Sequence, residues 1–144
     1  MIQQALLISL MRKELLSMVD SLRYNEWLEK AGRDLKSAKV LKQNDCGNDV
    51  VAFHCQQTIE KVLKGYLLKQ IGLVAEGHSL IYLCKESSKY KIEFKKRLKD
   101  CAFVNQYYIE TRYPADIPLE ISDDEANECI SIAEEIYKMV AESI

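Results

Sequence analysis

The chain of 144 residues is long enough for one domain with a single real core and too short for a multidomain enzyme. Hydrophobic residues make up 48% and charged residues 29%, which excludes a disordered or fibrous chain; 20 Lys and Arg against 22 Asp and Glu leave a net charge of -2, which excludes a global field drawing the protein to nucleic acid. Only 5 Gly and 2 Pro are present, both prolines (Pro114 and Pro118) in one short stretch, so most of the chain is free to run as long helices.

Residues 1–21 form an N-terminal extension, expected to be helical across 2–22. Leu6, Leu10, Leu15, Val19 and Leu22 recur near helical spacing, with further apolar residues between them. Arg12, Lys13 and Glu14 interrupt the stretch well short of the ~20 apolar residues of a membrane span, and no basic region opens it as in a signal peptide. This helix is expected to dock on the rest of the chain or on a second subunit; alternatively Met18 is the natural start. The domain proper is expected over 22–144. A second helix is predicted over 25–41, buried through Leu28, Ala31, Leu35, Ala38 and Leu41. The spacing predicts a third and longest helix over 49–71, with Ala52, Cys55, Ile59, Val62, Leu63, Tyr66 and Leu67 inward and Gly72 as its stop. A short helix follows Ser79, its N-cap, and turns Leu80, Leu83 and Cys84 inward. A further helix is predicted over 92–109, presenting Phe94, Leu98, Cys101, Ala102, Tyr108 and Ile109. Ser122 and Glu125 then form a capping box for the last helix, buried through Ala126, Cys129, Ile130, Ala133, Ile136, Tyr137 and Val140. No stretch alternates with period two, so the fold class is all-α: an up-and-down antiparallel bundle of four long helices and a short one, with the N-terminal helix as an extra.

The five cysteines form no C-x-x-C pair and read as small core residues in a reducing cytoplasm. Glycine-rich phosphate loops, zinc spacings and hydrolase motifs are absent from the sequence, and solvated helix carboxylates explain Glu60 and Glu134 better than metal ligands do. The outward ridge of the long helix is more informative. At about 100° per residue, His54, Gln57, Lys61 and Lys64 project within about 80° of one another, with Glu60 to one side. Such a ridge could hold a phosphate and hydrogen-bond a base, or it is a solvated face with Glu60 and Lys64 paired. Val50 and Leu68 fall on the same ridge and suggest a surface covered by another helix or subunit. Asn105 falls in an apolar stripe, where an amide needs a partner: either a hydrogen bond to a neighbouring helix or a ligand to orient. Arg112, after Tyr107 and Tyr108 and before Tyr113 and Pro114, either caps helix carbonyls or meets a phosphate while Tyr113 stacks on a base.

The run Phe53-His54-Cys55-Gln56-Gln57-Thr58-Ile59-Glu60-Lys61-Val62-Leu63-Lys64 and the run Tyr108-Ile109-Glu110-Thr111-Arg112-Tyr113-Pro114 together resemble the HEPN (higher eukaryotes and prokaryotes nucleotide-binding) family. Trp27 to Ala38, with its Trp-Leu-x-x-Ala-x-x-Asp-Leu-x-x-Ala pattern, and Gly77-His78-Ser79-Leu80 match in the same order. The resemblance implies a small helical bundle, commonly a homodimer, related to the helical domain that accompanies nucleotidyltransferases and often encoded beside a minimal one. Some members are ribonuclease toxins built on an Arg followed four to six residues later by His; here no histidine follows Arg112. The expectation is therefore a non-catalytic, cytoplasmic module of a toxin-antitoxin-like pair. It would need no cofactor and no metal and would bind a nucleotide such as ATP or a nucleotidyltransferase partner through Gln57, Lys61, Lys64, His78, Arg112 and Tyr113. RNA ranks behind these as a ligand, and a membrane is not expected. The rivals are an RNA-cleaving toxin using His54 or His78 with Arg112, and a structural adaptor.

Overall fold

The computed structural model describes residues 1–110 and 120–144, and side chains within these except at 16–22 and 109–110. The helices run α1 (Ile2–Leu22), α2 (Tyr24–Gln43), α3 (Asn48–Ile71) and α4 (Leu80–Ser88); a 3-10 segment (Ile92–Arg97) follows, then α5 (Leu98–Asn105), α6 (Tyr107–Glu110) and α7 (Asp123–Ser143). No strand is present among the described residues. The protein is an all-α bundle, as its periodicities predict.

α3 is the axis. α2 and α7 pack along it, α4 and the start of α6 lie against it, and α4 in turn supports the 3-10 segment and α5. The inward residues expected on α3 are all buried. Gly72 ends the helix at φ 80, in the left-handed region that glycine enters without strain, and its N–H reaches the Leu68 carbonyl. Ser79 caps α4 by accepting from the Tyr82 N–H, and the Ser122–Glu125 capping box opens α7 with both of its hydrogen bonds made. Asn105 Oδ1 accepts the Leu80 N–H at 2.8 Å, so this amide serves a neighbouring helix start.

Four expectations are corrected. The helix predicted over 92–109 is three pieces. Phe94 packs on Tyr66 with ring centroids 4.9 Å apart and its carbonyl accepts the Cys84 thiol at 3.1 Å, while Gln106, between α5 and α6, folds its amide back onto the Phe103 carbonyl. The breaks rotate the register, so Ala102 is exposed and Val104 and Tyr107 are buried in its stead. Leu68 is buried within the chain itself, not outward. Lys64 is likewise buried, 7% exposed, its ammonium 6.0 Å from the centre of the Trp27 ring. Glu60 is neither solvated nor paired with Lys64; it is buried and bonded to His78. For Lys64 the cause is the approach of α2, which crosses so close to Gly65 that a Cβ there would lie 2.8 Å from Leu28 Cδ1 and so closes part of the ridge that helical phase alone leaves open.

α1 is helical but little covered, with Leu6, Leu10 and Leu15 exposed. The side chains of Val19, Leu22 and Ile109, and all of Arg112 and Tyr113, lie outside the described residues.

Candidate functional site

The polar residues of α3 divide into two clusters, one on each flank. On the α2 side, Asp34 bridges two of them: Oδ1 lies 2.9 Å from His54 Nδ1 and Oδ2 accepts from Lys61 Nζ. Asp34 is mostly buried, and His54 and Lys61 keep about a quarter of their side-chain surface. An ionised carboxylate only accepts, so His54 donates from Nδ1 and keeps Nε2 for another partner.

On the other flank, Gln57 donates to Gln56 Oε1 at 2.7 Å, and Gln56, fully buried, donates to the His78 carbonyl at 3.2 Å. Glu60 Oε1 meets His78 Nδ1 at 2.7 Å, with the carboxylate side chain only 6% exposed and the imidazole 56% exposed. His78 also stacks on Tyr108, ring centroids 4.8 Å apart and planes 19° from parallel. A buried carboxylate thus fixes the orientation of an exposed imidazole, which lies flat on the half-buried Tyr108 ring. Gly77 just before His78 has φ 86 and nothing within 4 Å of an added Cβ; glycine is required there by the backbone, not by space.

Of the residues singled out from the sequence, Gln57 and His78 come together in the second cluster, Lys61 belongs to the first, and Lys64 is turned toward Trp27. Arg112 and Tyr113 follow Tyr108 by four and five positions, outside the described residues. Asp34, Gln56 and Tyr108 were not among the expected site residues. Asp34 left a trace: it lies on the Ala31, Leu35, Ala38 stripe, where a charge demands a partner. Gln56 left the same kind of trace beside Cys55 and Ile59.

Cys55, Cys84, Cys101 and Cys129 are buried as expected of core residues, whereas Cys46 is exposed; burial pushes the Cys55 thiol up and that of Cys129 up to about 12, while a hydrogen bond with Cys101 lowers that of Cys84. Among the described residues, no group of three or more His, Cys, Asp or Glu side chains could hold a metal ion, and no helix is long and apolar enough to cross a membrane.

These elements make an all-helical bundle around one central, polar-flanked helix. The HEPN domain matches residues 24–144, and the chain belongs to that family. It is similar to TT1696 from Thermus thermophilus, at 30% identity over 85% of this chain and 98% of that one, with a TM-score of 0.75. It is also similar to ST0689, an archaeal HEPN homologue, at 27% identity over 84% and 97% of the two chains, with a TM-score of 0.67. No curated protein matches it.

Proposed function

We propose that this HEPN protein is a non-catalytic binding module that receives a nucleotide, ATP or a relative of it, at the His78–Tyr108 face. The observation that carries this reading is the exposed His78 ring, stacked on half-buried Tyr108 and anchored by buried Glu60. Two aromatic planes held in place, with the Gln57 amide near, suit a base that needs one face to stack on and one edge to bond. Arg112 and Tyr113, a few residues beyond Tyr108, are the proposed phosphate and base contacts. The absence of an Arg followed by His at the ribonuclease spacing supports a binding role over cleavage.

A second reading, a nucleotidyltransferase partner in a toxin-antitoxin-like pair, is favoured by Ile71, Leu73 and Val74, three exposed apolar side chains leading into the loop that carries His78.

A thermal-shift titration with ATP, GTP, their diphosphates and a short RNA tests the first reading. One nucleotide is expected to raise the melting temperature, and Tyr108→Leu to weaken its binding about tenfold, since a base-on-ring stack is worth ~1–3 kcal/mol. No shift with any nucleotide overturns the nucleotide reading and leaves the face to a protein.

A further inference from the structure

A hollow of about 430 Å³ opens beside His54, lined by Lys36, Ser37, Val40 and Leu41 of α2. It lies on the opposite flank of α3 from His78 and has no part in the reading above. Asp34 holds the His54 ring by Nδ1, so Nε2, on the opposite edge, is the nitrogen left for another partner. Because Lys61 already balances Asp34, the carboxylate adds no net negative charge to this corner, and Lys36 makes it positive. The next lysine along α2, Lys39, is drawn away to Glu134 at 2.9 Å. The residues that line it therefore include a lysine, a serine and a histidine, while Val40, 46% exposed, and half-buried Leu41 supply an apolar wall. Ammonium, hydroxyl and imidazole are donors suited to a phosphate oxyanion; the wall suits an aryl or aliphatic body.

We propose that this hollow binds a phosphate monoester carried on an apolar or aromatic body. Lys36, Ser37 and His54 Nε2 contact the phosphate, and Val40 and Leu41 pack against the body.

The chain has only two histidines, so imidazole NMR resonances report the two flanks of α3 separately, with His54→Gln providing the assignment. The full chain is titrated with inorganic phosphate, phenyl phosphate and adenosine monophosphate. The expected result is a saturable shift of the His54 signals, tighter for at least one ester than for inorganic phosphate, with His78 unmoved by inorganic phosphate and phenyl phosphate and shifted by adenosine monophosphate only through the separate nucleotide face. The better ester tells a nucleoside body from a simple aryl one. Lys36→Gln and Ser37→Ala, both surface changes on one helix, are each expected to weaken binding about five- to tenfold, as loss of a charge-assisted hydrogen bond does. Silent His54 signals with all three ligands overturn the site. Equal affinity for phosphate and both esters overturns the apolar wall. A shift at His78 alone overturns this proposal and leaves the nucleotide face standing; silence at both overturns the two together.

Discussion

Tyr107 donates its hydroxyl to Glu125 Oε2 at 2.9 Å and packs edge-on against Phe103, joining the α5–α6 arm to the first turn of α7. Hydrogen bonds from Tyr107 and Ser122 hold the Glu125 carboxyl below its ordinary 4.5, and burial followed by the Glu125 contact holds the Tyr107 phenol above its ordinary 10.0. The two contributions have opposite pH limits. The carboxylate's share is present above the unfolded value and lost as pH falls through the lowered one. The phenol's share is present below its unfolded value and lost as pH rises toward the raised one. Tyr107→Phe is therefore expected to lower the melting temperature by a few degrees near neutrality, with the deficit shrinking in acid below about pH 4.5 and in alkali above about pH 10. Urea unfolding of both proteins across that range checks it; a deficit independent of pH would assign the loss to packing alone.

At the scale of elements, the decisive contact is α2 against α3. A Cβ on Gly65 would meet Leu28 Cδ1 at 2.8 Å, Trp27 Cβ at 3.1 Å and the Tyr24 carbonyl oxygen at 3.3 Å, two of them close to or on the backbone and hard to displace. Gly32, also in a helix, would meet the tip of Tyr137 at 3.2 Å, and that side chain can swing aside. Alanine gains about 1 kcal/mol over glycine in a helix, and overpacking costs about 1–3 kcal/mol. Gly65→Ala is thus expected to destabilise the protein by up to about 2 kcal/mol and Gly32→Ala to leave it unchanged or slightly stabilised, read by denaturant unfolding. Equal effects would mean that α2 and α3 can separate at no cost. The same close approach explains why α3 was only half legible beforehand: its inward stripe follows from period 3.6, but nothing in that period reveals that α2 also covers Lys64 or that Leu68 is buried.

For the whole molecule, α1 touches α3 and α2 but is little covered. It precedes the HEPN match at residues 24–144, and Leu6, Leu7, Ile8, Leu10, Met11 and Leu15 are each half exposed or more. A chain of residues 23–144 is expected to keep its helical spectrum and to melt within a few degrees of the full protein, because the buried core lies in α2 to α7. It should also self-associate less, since the exposed apolar surface goes with α1. Circular dichroism and sedimentation of the two chains decide it. A large fall in melting temperature would make α1 integral to the bundle.

The helices, their caps and most of the core were legible in the chain alone, because hydrophobic period, Gly72, Ser79 and the Ser122–Glu125 box act over one or two turns. The family was legible too, in four short runs taken in order. Which polar groups meet was settled by the packing of the helices. Asp34 with His54 and Lys61 lies 20 and 27 positions apart in the chain, and Glu60 with His78 lies 18 apart. Such pairings depend on how closely two helices approach and how each is turned, and local pattern encodes neither. For the same reason the helix expected over 92–109 broke, as the packing of Phe94 on Tyr66 outweighed the modest preference of those residues for an unbroken helix.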